Sequence, residues 1–336
     1  MKKIVYMIFI LFIFSGCDNT VKDKSIEGAN FPSSTSIENS YDHDEKTPLN
    51  QEKTKIEDIE LDEYDINMKR DLLCLKMAYP EYVSYFERDA KGEVYLVMTS
   101  GNKILYDDRL SKTYNQKLAN ADLQDTMEML YPLGNISELM EDNYDPGRFR
   151  CYAFLKEVYG GSRQQIENYL EGVSIGGKVC SFNNRNNASA ALKQVAAQMK
   201  ILGQSNNIVR QNIFPVNGTY NYRVIAGTNQ LSPHAFAIAI DFKSDKRDYW
   251  KWASRELGQQ RLGEYPREAV EILEENNFIW GGKWAHFDIL HFEYRPELII
   301  KARYYVEDFE MEGSWYYGFP TEDERVKSYI ETIDRI

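Results

Sequence analysis

The spacing of apolar positions predicts helices in the first half of the chain and strands in the second. Over 66–86, INMKRDLLCLKMAYPEYVSYF, apolar side chains recur at helical spacing, with Pro80 as a break. Two β-rich runs around SGN in 93–108, EVYLVMTSGNKILYDD, predict a hairpin. NADLQDTMEMLY (120–131) reads as a helix with Asn120 as its candidate cap. RCYAFLKEVYG (150–160) and SRQQIENYLEGV (162–173) read as two short helices, and KVCSFN (178–183) as a short strand. The clearest helix is NNASAALKQVAAQMKIL (186–202), opening on an asparagine cap. After it, TYNYRVIAGT (219–228), HAFAIAIDF (234–242) and HFEYRPELII (291–300) are strand-like. One helix, PREAVEILEENN (266–277), separates them; its acidic residues suit a solvated face, with Pro266 in the first turn. Helices first and strands later predict an α+β fold with a small antiparallel sheet. No internal repeat is present.

The start of the chain has a different texture. MKK supplies positive charge, IVYMIFILFIF is a short apolar run, and SGC ends it at Cys17. This is the pattern of a secretory signal, short for a membrane span. It resembles the lipobox of bacterial lipoproteins, with Phe14 where leucine is usual. The resemblance implies cleavage before Cys17, lipidation of its thiol, and a membrane-anchored protein of the cell envelope facing the periplasm or exterior. A plain signal peptide or an N-terminal anchor is the other reading of these residues. From Asp18 to about residue 64 the chain is rich in charged and small polar residues and reads as a solvated tether. The predicted organisation is a signal at 1–17, a tether at 18–64, a mainly helical part with a hairpin at 65–210, a core at 211–310 carrying the candidate chemistry, and a tail at 311–336.

Composition excludes some functions. A formal net charge of −12 argues against a nucleic-acid partner, which would need a basic surface. Aromatic content of 13% excludes disorder over the whole chain. Beyond Cys17 stand Cys74, Cys151 and Cys180, an odd number with no zinc-module spacing. They are core residues, or one pair forms a bridge that the sequence does not identify.

Of the four histidines, His43 lies in the tether and His234, His286 and His291 lie close together late in the chain. Histidine is the commonest neutral metal ligand and general base, so this clustering of a rare residue is the candidate chemistry. His234 and Asp241 pose a geometric problem. In a regular strand they would stand ~23 Å apart on opposite faces, and in a helix ~10 Å apart along the axis. A single zinc ion needs both ligand atoms at about 2 Å, so the chain has to turn between them. Pro233 supports a turn, after which AIAIDF would be the strand that delivers Asp241. HFDILHFEYR (286–295) adds Asp288, His291 and Glu293. His234, Asp241 and His291 would be three ligands with a fourth position open, the arrangement of a catalytic zinc. Asp288 is then the candidate general base.

SPHAFAIAID followed by DILHFE resembles the zinc D-alanyl-D-alanine carboxypeptidases, the VanY-like group, whose superfamily includes endolysin L-alanyl-D-glutamate peptidases. The pattern is S-x-H-x-x-G-x-A-x-D and then [ED]-x-x-H. Ser232, His234, Ala239, Asp241, Asp288 and His291 match it. The likeness is strongest over 220–296, where YNYRVIAGT, FIWGGKW and HFE flank the motif. It implies a fold of the Hedgehog/D-Ala-D-Ala peptidase type, with flanking helices around a zinc-bearing antiparallel sheet and a helical N-terminal extension. It implies zinc, one ion, on His234, Asp241 and His291. Asp288 would take the proton from the attacking water and pass it to the leaving amine. Arg223 would hold the oxyanion, and Ser232 would help position the substrate. Apart from the resemblance, Trp280 and Trp284 read either as walls of the cleft, with Trp284 against the substrate, or as simple packing beside glycines. The implied reaction is hydrolysis of peptidoglycan stem peptides at D-Ala–D-Ala, with L-Ala–D-Glu as the nearest variant. A zinc-stabilised lipoprotein that binds peptidoglycan without cutting it, and a structural protein with no metal, are the rival classes. The chain departs from the pattern at Ala237, where glycine is usual, and has Asp rather than Glu as the base, as in the endolysin branch. His286 falls in no motif position and reads as a rim residue. Glu293 reads either as an acceptor orienting a zinc histidine or as a strand residue paired with Arg295.

Overall fold

Asp62 caps the first helix, α1 (Glu63–Ala78), by accepting the Asp65 N–H at 2.8 Å. The computed structural model describes residues 62–305 and 313–336, so the signal, Cys17 and the tether up to residue 61 lie outside the described residues. The helix stops at Ala78 because Pro80 disfavours helical backbone at Tyr79. The break expected at Pro80 is there, but the helical apolar spacing read beyond it, to Phe86, does not give a second helix. The β-branched and aromatic run after Pro80 becomes β1 (Val83–Arg88), which joins β2 (Val94–Met98) and β3 (Lys103–Leu105) in an antiparallel sheet ordered β1-β2-β3.

Next come α2 (Tyr114–Asn120) and α3 (Leu123–Met127). The cap of α3 is Asp122, which forms a capping box with Asp125, whereas the expected cap, Asn120, ends α2. The helix α4 (Tyr152–Tyr159) lies within the predicted span. The stretch predicted as the next helix divides into α5 (Arg163–Asn168) and a strand, β4 (Leu170–Ile175), which pairs with β5 (Lys178–Asn183). So the first half is less purely helical than the spacing implied. The longest helix, α6 (Ala188–Ser205), begins after Asn187, which sits in the left-handed region and makes no side-chain cap. It is followed by α7 (Asn207–Ile213).

The third sheet positions the site. Its strands are β6 (Ala239–Asp241), β7 (Phe278–Trp280) and β8 (His291–Tyr294), in the order β6-β8-β7, all antiparallel. Between β6 and β7 run α8 (Arg255–Glu264) and α9 (Arg267–Glu275). The end of HFEYRPELII is not a strand: Pro296 takes the first position of α10 (Pro296–Tyr304), where its missing N–H costs nothing. TYNYRVIAGT forms only isolated bridges, Gly218 with Asp241 just before it and Val224 with Leu231. In the expected tail, α11 (Glu324–Ile333) buries Val326, Ile330 and Ile333, and the Lys69 ammonium of α1 donates to the Ile333 carbonyl. Buried apolar residues from all these elements except α2 form one continuous core, and Cys74, Cys151 and Cys180 are free and buried within it. Among the described residues no helix is long and apolar enough to cross a membrane.

The turn that the His234–Asp241 spacing demanded is present. Ala235 N–H donates to the Ser232 carbonyl at 2.7 Å, and Ala237 N–H to the His234 carbonyl at 3.1 Å. Ala237 itself has φ +56° and is fully buried. The left-handed conformation explains why glycine suits this position, since a Cβ there costs about 1–2 kcal/mol. Replacing Ala237 with Gly would relieve that strain. It would also remove a buried methyl, about 0.8 kcal/mol, and add backbone freedom to the unfolded chain, about 0.5–1 kcal/mol. The terms nearly cancel, so Ala237→Gly is expected to leave Tm within about 3 °C of wild type by calorimetry. A fall well beyond that would mean that the methyl packs rather than strains.

Candidate metal centre

Antiparallel register brings two of the candidate ligands side by side. Asp241, the last residue of β6, stands directly opposite His291, the first of β8, a pairing that puts Cβ atoms about 5 Å apart. The turn at 233–237 folds His234 back onto the same point. The strand that follows the turn is Ala239–Asp241, shorter than the expected AIAIDF. His234 Nε2 lies 3.2 Å from Asp241 Oδ1 and 3.2 Å from His291 Nδ1, and His291 Nδ1 lies 2.8 Å from Asp241 Oδ1. Ligands at about 2.0–2.1 Å around a tetrahedral ion are separated by roughly 3.3 Å, so this triangle has the size of one face of a zinc site.

The outer contacts of both histidines fix which nitrogen faces inward. His234 Nδ1 is 2.6 Å from the Thr219 carbonyl, so it carries the proton and Nε2 presents its lone pair to the triangle. His291 Nε2 is 3.1 Å from Glu293 Oε1, so it is the donor and Nδ1 faces inward. Burial pushes the Asp241 carboxyl up, but hydrogen bonds with His234 and His291 outweigh it and hold the group well below the usual range. Burial pushes His291 down, yet hydrogen bonds and charge from Asp241 and Glu293 raise it to about 10. The carboxylates therefore favour positive charge at this point. Donor types, tautomers and local field all fit a divalent cation.

Glu293 rests on a buried ionic chain. Arg150 grips it with Nε, at 3.2 Å, and Nη2, and Arg295 Nη1 stands 3.6 Å away. Arg295 in turn pairs with Glu297 at 2.5 Å, and Tyr79 donates to Glu297 at 2.5 Å. Both readings of Glu293 thus hold in geometry: it accepts from His291 and it lies beside Arg295.

Asp288 belongs to the turn entering β8. Its N–H donates to the Gly281 carbonyl at 2.9 Å, its carbonyl accepts the His291 N–H at 3.1 Å, and its backbone bridges to Tyr249. A Cβ on Gly281 would stand 2.5 Å from the Asp288 carbonyl oxygen, so only glycine allows this approach. Burial pushes the Asp288 carboxyl up to about 7, with nearby Asp241 and Asp248 adding to it and His291 and Arg148 opposing it. A carboxyl with this pKa exchanges protons near neutral pH.

The remaining candidates lie as follows. Ser232 is buried, and its Oγ accepts the His234 N–H at 3.3 Å, so it shapes the ligand turn. Trp284 is buried, its ring centroid 5.8 Å from that of His291. Arg223 is exposed; its carbonyl accepts the Ser232 N–H, and among the described residues its guanidinium reaches only the Val224 carbonyl, at 3.5 Å. His286 lies outside the triangle, bonded through Nδ1 to the fully buried Asp145 at 2.6 Å. Sequence reasoning passed over Arg148, Arg150 and Asp145. The available signal was two arginines flanking Phe149 just after the Pro146–Gly147 turn, the second of them at the start of the predicted helix 150–160.

Residues 226–294 match the family model described as D-alanyl-D-alanine carboxypeptidase. No curated protein and no solved structure matches the chain significantly.

Proposed function

We propose that this chain, whose residues 226–294 match the D-alanyl-D-alanine carboxypeptidase family model, is a zinc peptidase that trims peptidoglycan stem peptides at D-Ala–D-Ala. The observation that carries the reading is the pair of buried histidines whose inward nitrogens converge on one carboxylate oxygen, with a raised carboxyl in the adjoining turn. His234, Asp241 and His291 would hold the ion. Zinc, when bound, supplies Lewis-acid polarisation of the amide carbonyl and makes water acidic enough to attack near neutral pH.

In this reading a C–O bond forms as water adds to the amide carbonyl, and the scissile C–N bond breaks when the carbonyl re-forms. Asp288 holds the proton taken from the water and returns it to the departing amine nitrogen. Arg223 stands on the loop paired with Ser232 and would swing its charge to the developing oxyanion. Ser232 keeps the ligand turn in shape, and Trp284 walls the space beside His291. The fold would be of the Hedgehog/D-Ala-D-Ala peptidase type. A lipid on Cys17 would tether the protein to a membrane of the cell envelope, where its peptide substrates lie.

The test is incubation of the purified chain, loaded with zinc, with a stem pentapeptide, products being read by mass spectrometry. Loss of one alanine, abolished by a chelator and restored by zinc, is expected. Cleavage between L-Ala and D-Glu would move the protein to the endopeptidase branch. A chain that binds zinc and cuts neither the peptide nor intact sacculi would be a binding lipoprotein instead.

A further inference from the structure

Arg148 is a cation beside the proposed centre with no role in the chemistry described so far. Its Nη1 donates to Tyr114 Oη at 3.1 Å and to Asp145 Oδ2 at 3.3 Å. Asp145 is fully buried and also accepts the His286 N–H at 2.9 Å, two residues before Asp288. The guanidinium stands 5.9 Å from the centroid of the Trp284 ring, the same ring that packs on His291. The side chain is 20% exposed, so it is anchored yet reachable.

The bonded atom matters. Only Nη1 is engaged within the described residues, which leaves the edge formed by Nε and Nη2 open. In Arg150, Arg247 and Arg325 that same edge is closed by the two oxygens of a carboxylate, on Glu293, Asp245 and Asp323 respectively. An arginine held from behind, with this edge open beside a hydrolytic centre, matches a bidentate carboxylate on a substrate. The positive field of Arg148 also reaches Asp288 and the Tyr249 hydroxyl.

We propose that Arg148 is the specificity residue that binds the α-carboxylate on the carbon bearing the leaving nitrogen. The inference rests on the peptidase reading above. It applies to either bond under consideration. In D-Ala–D-Ala the departing alanine carries that carboxylate as the chain terminus. In L-Ala–γ-D-Glu the glutamate carries it as its free α-carboxylate. An ordinary peptide interior has an amide at this position and would leave the Arg148 edge unpaired.

The test compares the full chain with Arg148→Gln and Arg148→Lys on three pentapeptides: the free acid, its C-terminal amide, and the form with D-isoglutamine. Wild type is expected to lose about tenfold to a hundredfold in kcat/KM when the carboxylate adjoining its scissile bond is amidated. Arg148→Gln should show the same loss on the free acid, chiefly through KM, and no further loss on amidation. Arg148→Lys should recover part of the discrimination. The acid-to-amide ratio is taken on one preparation, so a partly unfolded sample does not shift it. If Arg148→Gln weakens acid and amide alike, Arg148 acts on the reacting centre or on folding and the proposal fails. It fails too if the variant matches wild type. Wild-type protein that binds zinc and cuts none of the three peptides overturns the peptidase reading itself, and the proposal with it.

Discussion

Asp288→Asn will lower kcat on the cleaved stem peptide by about 10²–10⁴-fold, while zinc binding stays at one ion per chain. In the proposed reading the two roles fall on different residues. The ligand triangle is made by His234, Asp241 and His291, and Asp288 is not part of that group. It stands one turn upstream of His291, held by Gly281 and by the bridge to Tyr249, so its backbone position does not depend on its side chain. Burial brings the carboxyl to about 7, which lets one group both accept and return a proton. Asparagine preserves the shape and removes that capacity. Loss of zinc from the variant would make Asp288 a ligand rather than a base. Activity within a few-fold of wild type would move the base elsewhere. Metal analysis and single-turnover kinetics on the same preparation separate these outcomes.

How much of this was legible beforehand depends on how local the determining contacts are. The strand Lys178–Asn183 and the core of α6 follow from spacing alone, because each carries its own periodicity. The convergence of His234, Asp241 and His291 was legible because the motif is compact and because the His234–Asp241 spacing fits neither a regular strand nor a regular helix, which forces the turn now seen at Ala237. The helix α8 was not legible: it buries only Gly258, Arg261 and Leu262, so it shows almost no apolar face. TYNYRVIAGT has strand composition, but its neighbours offer it only isolated bridges, and composition does not reveal the absence of a partner. PELII was misread although Pro296 was a usable signal, since proline fits a helix start and not a strand interior. Arg148 and Arg150 were out of reach for another reason. Arg150 meets Glu293 across a separation of 143 residues, and no local pattern reports a partner that distant.

That distant contact underlies the second large effect. Glu293→Ala is expected to destabilise the fold by about 3–5 kcal/mol and to weaken zinc binding about 10–100-fold. Glu293 is fully buried, as is Arg295 to within 1%, and Arg150 is 7% exposed. Burial alone would raise the Glu293 carboxyl, but the charge of Arg150, with His291 and Arg295 behind it, holds it well below the usual range. Removing the carboxylate leaves the Arg150 guanidinium desolvated without its partner, whereas Arg295 still has Glu297. The stability loss therefore comes mainly from Arg150, and for a chain of this size it corresponds to a fall in Tm of roughly 5–9 °C. The zinc effect has a separate origin: His291 Nε2 loses the acceptor that fixes its tautomer, so Nδ1 no longer faces the triangle in every molecule. Adding Arg150→Met to Glu293→Ala should recover much of the Tm, because the stranded charge is gone. It should recover none of the zinc affinity, because the acceptor is still missing. Thermal melts and zinc competition with a chelating dye would read the two effects independently. If zinc affinity returned together with Tm in the double variant, Glu293 would be acting on the metal centre only through the fold.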